Sequence, residues 1–135
     1  MTFSRHFDHW PPGLAHTVEV PARSVYENLA ASAAASPGLC ALYYYGRELS
    51  YADLRREADA LAGFLQQRCG VKKGDRVLLY LQNSPQFVIG YYAILRADAV
   101  VVPVNPMNMT EELRHYVEDA QARVAIAGQD RVAHL

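Results

Sequence analysis

The sequence predicts an α/β fold in which a β-hairpin and two helices lead into a β-α-β-α-β parallel-sheet half. Three observations carry this prediction. Residues 77–81, 99–102 and 124–127 are short apolar runs, as expected of strands covered on both faces in a parallel sheet. Between them lie two helix-length segments with recognisable starts at Ser84 and Thr110. Upstream, Leu54, Ala58, Leu61 and Leu65 recur at helical spacing and give an otherwise polar segment one apolar stripe.

Each element has a local reason. Ser24-Val25-Tyr26-Glu27 is a capping box, and the helix it opens presents Val25, Leu29 and Ala33 on a narrow apolar face before Ser36-Pro37-Gly38 ends it. Residues 42–45 are β-prone, and Gly46-Arg47 reads as a two-residue type II′ turn into Glu48-Leu49. Ser50, with Asp53 three residues on, caps the long amphipathic helix, and Gly70 is its left-handed stop. Asn83-Ser84-Pro85 supplies a polar cap and a proline at the first turn of the next helix. That helix is apolar on most sides, from Phe87 to Leu95, so it is expected to be buried. Gly90 in its middle costs about 1 kcal/mol relative to Ala, which predicts a close approach by a neighbour. Thr110-Glu111-Glu112 is read as the cap of the second helix of this half, with its acids at the positive end of the dipole and Leu113, Tyr116, Val117 and Ala120 facing inward. Residues 128–130 open a further helical turn, and the crossovers are expected to be right-handed.

Composition excludes several classes. A chain of 135 residues suits one domain and buries roughly 70% of its unfolded surface. Thirteen basic residues stand against 14 acidic ones with no basic run, so nucleic acid is not an expected partner. Cys40 and Cys69 fit no C-x-x-C spacing and read as reduced, buried thiols. The first residues lack the apolar core of an export signal. The most hydrophobic window, residues 87–104, is broken by Arg96, Asp98 and Pro103, whereas a membrane span needs about 20 mostly apolar residues. A cytoplasmic protein without a transmembrane segment is therefore expected, and peripheral membrane contact is left open. Residues 1–23 read as an N-terminal arm on a 24–135 domain. Within the arm, His6, Asp8 and His9 match no standard metal spacing.

No residue can be given a chemical role from spacing alone. Neither G-x-x-x-x-G-K-[ST] nor G-x-G-x-x-G occurs, and the glycines and lysines of residues 70–75 precede a strand, where a phosphate cradle needs a helix N-terminus. Glu111, Glu112, Glu118 and Asp119 are helix-face carboxylates, and His115 has no nucleophile in view. Asn105 ends the second strand, where a topological switch point would place ligand contact, although capping a turn is its simpler task. Catalytic, cofactor-binding and metal-ligating assignments are accordingly none.

Four segments nevertheless occur in a recognisable order. Leu49–Leu54 reads LSYADL, residues 74–77 read GDRV, residues 83–87 read NSPQF, and residues 96–106 read RADAVVVPVNP. Together they resemble the N-terminal portion of the adenylate-forming (AMP-binding) acyl-CoA synthetases, of the fatty-acid–CoA ligase type. The resemblance covers residue 24 to the end, and Asp98 departs from it where most relatives carry Gly. It implies the N-terminal part of the adenylate-forming fold, and a parent enzyme that joins a medium- or long-chain fatty acid to coenzyme A through an acyl-adenylate. ATP, Mg²⁺ and coenzyme A are the implied cofactors of that parent. The remainder of the ligase chain is the implied partner, and the fatty acid reaches this unit through the parent. The family's phosphate loop, magnesium-binding acid and catalytic lysine have no counterpart in these residues, so residues 24–135 are expected to be an incomplete domain and the chain to be inactive alone. The alternative is a stand-alone, non-catalytic interaction or scaffold module derived from such a ligase.

Overall fold

A computed structural model of the chain describes residues 4–135. Met1, Thr2 and Phe3, at the start of the expected arm, lie outside the described residues. From Ser4 to Arg23 the chain makes a 3-10 turn at Arg5–His9 and a loop whose side chains are exposed apart from half-buried Phe7. Its aromatics associate with one another. Phe7 stacks on His16 with ring centroids 4.0 Å apart, and Trp10 meets both rings edge-on.

Helix α1 (Val25–Ala35) begins as expected. The Ser24 hydroxyl accepts from the Glu27 N–H, and the Glu27 carboxylate accepts from the Ser24 N–H. Leu29 and Ala33 are buried, but Val25 is 52% exposed. The inward side turns instead through Tyr26, which packs with Leu29 against Leu54 and Ala58. Val25 sits at the first helical position, before the chain has come round to the body.

Strands β1 (Cys40–Tyr44) and β2 (Arg47–Ser50) form the expected antiparallel hairpin, with Tyr44 opposite Arg47. The turn is one residue earlier than the sequence suggests. Tyr45 and Gly46 are its central pair, at φ 46° and 79°. Two positive φ values make it type I′ rather than II′, the type that requires both central residues in the left-handed region.

Ser50 caps helix α2 (Tyr51–Gln67), its hydroxyl accepting from the Asp53 N–H at 3.1 Å and donating to the Asp53 carboxylate at 2.7 Å. Leu54, Ala58, Ala62 and Leu65 are buried, and Leu61 packs half-buried beside them. Gly70, at φ 69°, is the left-handed stop. Residues 72–75 close a turn in which the Asp75 carboxylate accepts from the Lys72 N–H at 2.8 Å, as expected of a strand approach.

Strand β3 (Arg76–Tyr80) is the middle of a parallel three-stranded sheet, with β4 (Val100–Pro103) on one side and β5 (Val124–Ala127) on the other. Val77 lies opposite both Val101 and Val124. Alternation along β3 sorts its side chains between two cores. Val77 and Leu79 face helices α2 and α3 (Pro85–Arg96), whereas Leu78 and Tyr80 face helix α4 (Thr110–Ala120). Two parallel connections of one hand, leading first to one side of β3 and then back to the other, place their helices on opposite faces in this way.

Helix α3 is apolar nearly all round because it packs in two directions. Ala93 and Ile94 join the sheet core, and Val88, Ile89 and Tyr92 meet α1, α2 and the hairpin. Gly90 marks the closest approach. A Cβ there would lie 2.8 Å from Leu79 Cδ1 and 3.6 Å from Ile126 Cδ1. On the other face Leu113 is buried and Val117 half-buried, while Tyr116 is exposed to solvent and does not join the inner stripe. Thr110 is the first residue of α4 and not its cap. Met109 holds that position, its N–H donating to the Glu112 carboxylate at 2.9 Å, so the acid of the expected cap performs the task without the hydroxyl.

Candidate functional site

In a doubly wound sheet, ligands sit beyond the carboxyl ends of neighbouring strands whose outgoing connections lead to opposite faces. Strands β3 and β4 are such a pair, because α3 and α4 cover opposite faces. A crevice of about 390 Å³ lies there, its walls formed by the segment after β3 and the segment after β4. Leu81, Phe87, Val104 and Met107 supply its apolar surface, and Asn83 and Asn105 contribute amides.

Local geometry makes the walls firm. The Asn105 side-chain oxygen accepts from the Met107 N–H at 2.9 Å, and the Asn105 carbonyl accepts from the Asn108 N–H at 3.0 Å. Tyr80, buried at the end of β3, donates its hydroxyl to the Asn108 carbonyl. Asn105 thus caps its own turn while lying at the crevice. The opposite wall is held by Ser84, whose hydroxyl accepts from the Phe87 N–H at 3.3 Å.

No residue lining this crevice is charged. A triphosphate needs cations or a fan of free backbone N–H groups, and Mg²⁺ needs carboxylate or carbonyl oxygens. Pro85 removes one donor at the start of α3 and Ser84 occupies another, so the crevice supplies no cation for ATP phosphates and no carboxylate for Mg²⁺. The other residues considered from sequence are dispersed. Glu111, His115, Glu118 and Asp119 are exposed on α4, and Glu112 is engaged as a cap. His6 packs on Phe7 in the arm, and both cysteines are free thiols as expected but exposed rather than buried. Among the described residues, no group of three His, Cys, Asp or Glu side chains could hold a metal ion.

The two groups with displaced titration are structural and lie elsewhere. Burial, followed by a hydrogen bond to Asp59, raises the Tyr26 hydroxyl above its ordinary value. That pair belongs to a junction of three helices in which Arg96 donates to Asp59 at 3.2 Å and lies over the Tyr26 ring, 5.3 Å from its centroid. Asp53 is lowered, chiefly by the hydrogen bond from Ser50 and then by Arg56. Sequence reasoning missed the Tyr26–Asp59–Arg96 junction, since its members are 33 and 37 residues apart along the chain.

A capped βαβαβ unit with an uncharged crevice at its switch point is the class of fold that these elements define. The chain belongs to the AMP-binding enzyme family, which matches over residues 29–135. Among similar proteins, the long-chain-fatty-acid–CoA ligase of Bacillus subtilis (strain 168) is 39% identical over 117 residues, covering 87% of this chain and 21% of that one. The fatty acyl CoA synthetase of Mycobacterium tuberculosis superimposes with a TM-score of 0.77 at 28% identity, covering 82% of this chain and 22% of that one. The N-terminal subdomain of NpsA from Klebsiella oxytoca, in complex with anthranilyl-AMSN, gives a TM-score of 0.76 at 29% identity, covering 83% of this chain and 28% of that one. The chain therefore spans about a fifth of the length of the curated relatives it matches, at 21% and 19% for two long-chain-fatty-acid–CoA ligases. No described helix is long and apolar enough to cross a membrane.

Proposed function

We propose that this chain is the N-terminal part of an ATP-dependent carboxylate–CoA ligase acting on a medium- or long-chain fatty acid. The observation that carries the reading is the 39% identity to a long-chain-fatty-acid–CoA ligase over 87% of this chain. Residues 24–135 are the beginning of its AMP-binding domain, residues 1–23 are an arm on it, and the remainder of the ligase polypeptide is the partner. In such an enzyme ATP would be the source of the adenylate, Mg²⁺ its counter-charge and coenzyme A the acyl acceptor. This chain's own residues hold the β3–β4 crevice in shape, through the Asn105 turn, the Tyr80 hydroxyl and the Ser84 cap.

Stabilising charge on a transferring phosphoryl group requires cations or metal beside it, and the crevice provides neither. The 135-residue chain is therefore expected to show no fatty-acid-dependent ATP–pyrophosphate exchange, whereas a polypeptide that continues it to the length of its relatives should show it with fatty acids. Measuring that exchange for both tests the proposal. Exchange by the short chain would overturn the scaffold role, and exchange by the long one with amino acids alone would overturn the substrate class.

A further inference from the structure

The far end of the same strands differs in character. Where β3 and β5 begin, a cleft of about 580 Å³ is lined by Lys72, Arg76 and Arg123, with Gln121, Gly70 and Cys69 at its rim. Arg76 and Arg123 each stand one residue before the paired positions Val77 and Val124. By strand alternation they share the sheet face that carries Leu78 and Ala125, so two guanidinium-bearing residues occupy neighbouring strands on one side. Among the described residues none of these three cationic side chains makes a hydrogen bond or an ion pair, although Arg55, Arg56, Arg96 and Arg131 all do.

Two simpler accounts of the cations fail. The acid lining the cleft, Asp75, spends a carboxylate oxygen on the Lys72 N–H and makes no ion pair. Helices α2 and α4 end at this rim, and the negative ends of their dipoles favour cations there. Carbonyls near those ends, however, accept from backbone N–H groups, and none accepts from these three side chains. Leu65 O takes the Val71 N–H at 3.0 Å and Val117 O takes the Ala122 N–H at 3.2 Å. Three long cationic side chains are thus left around a space larger than the crevice at the opposite end.

We infer that this cleft is an anion site for a small molecule bearing two or more linked phosphates. Guanidinium groups side by side suit paired phosphate oxygens, each able to receive two parallel N–H donors, and Lys72 adds a point charge. The site goes beyond the ligase reading and stands or falls separately, because it lies at the opposite end of the strands from the crevice.

Titration of the 135-residue chain with inorganic pyrophosphate, followed by amide NMR, tests this inference. Saturable shifts are expected at Gly70, Lys72 and Gln121, with Asn83 and Asn105 unmoved. Arg76→Gln and Arg123→Gln should each weaken binding by about tenfold, the loss of one charge-assisted contact. Lys72→Gln, in an exposed turn, gives a second reading should either arginine variant fold poorly. The site is disproved by an absence of saturable shifts, by equal shifts with sulfate at matched ionic strength, or by retention of binding in the variants.

Discussion

The hairpin-and-helix region, residues 24–67, and the sheet region, residues 76–127, are ordered by different forces. In the first, helix starts are sealed by Ser24 and Ser50, and a polar junction of its Tyr26 and Asp59 with Arg96 of the sheet region ties three helices together near solvent. In the second, order comes from interlocking apolar groups, with Val77, Leu79 and Tyr80 wholly buried and a helix seated so closely that a Cβ at Gly90 would lie 2.8 Å from a Leu79 methyl. The difference teaches where each region is vulnerable. Packing energies are large and insensitive to pH. Caps and partly exposed hydrogen bonds are small, and they titrate.

The sharpest way to break this contrast lies in the sheet region. Leu79→Ala should cost about 3 kcal/mol, the usual loss for a fully buried leucine. Gly90→Ala alone should destabilise by about 1–2 kcal/mol, because its Cβ would sit 2.8 Å from a Leu79 methyl held in a full core. In the Leu79→Ala background that methyl is gone, and Gly90→Ala should become neutral or stabilising through its better helix propensity. Denaturant unfolding of the four proteins reads the coupling. Simple additivity would show that the 2.8 Å approach does not govern the site.

Next in size is the cap of the other region. Ser50→Ala should lower stability by about 1 kcal/mol and leave the unfolding slope unchanged. A fall in the ATP affinity of a full-length ligase, with no change in melting temperature, would instead make Ser50 a functional residue.

Titration sharpens the contrast further. The folded chain holds the Tyr26 hydroxyl above its ordinary value of 10.0, so the unfolded chain ionises first. That stability is complete below pH 10 and is lost as pH rises from there through the raised folded value. Tyr26→Phe should flatten the alkaline limb of a stability–pH profile. Asp53 is shifted the other way. Its contribution is present above the ordinary carboxylate value of 3.8 and is lost as pH falls through the depressed folded value, so Asp53→Asn should flatten the acid limb. Sheet-region variants such as Leu79→Ala should move both limbs in parallel. A Tyr26→Phe profile parallel to that of the parent would remove the junction from the account.

The smallest effect belongs to Asp98, which follows α3 at φ 59°. Left-handed backbone is strained for most side chains, and aspartate tolerates it better than most. Asp98→Gly relieves that strain at some entropic cost and should stabilise the chain by about 0.5 kcal/mol. Thermal melts of the two proteins would show it.

Much of the architecture was legible because its causes are local. Apolar runs at residues 77–81, 99–102 and 124–127 announced strands that form within a residue of those bounds, since a parallel strand buried on both faces has no polar position to blur its pattern. Ser24, Ser50 and Ser84 announced helix starts because a capping hydroxyl acts on a backbone N–H three residues away. Errors fell where two local solutions were nearly equivalent. A turn at Gly46-Arg47 and one at Tyr45-Gly46 each use the glycine, and the pairing of Tyr44 with Arg47 selects the second. Thr110 and Met109 compete for one cap, and the Glu112 carboxylate decides for Met109 by reaching its N–H.

What the amino-acid sequence determined by itself was therefore the set of elements, their order and the crowding at Gly90, along with four ordered segments that resemble the N-terminal part of an adenylate-forming ligase. Tertiary structure alone decided that β4 and β5 flank β3 on opposite sides, which places a neutral crevice at one end of the strands and a cationic cleft at the other. It also brought Tyr26, Asp59 and Arg96 together across three helices. The physical reason is range. Caps, turns and strand patterns act over a few residues and are written in consecutive letters, whereas strand order and side-chain clusters depend on how distant surfaces bury one another.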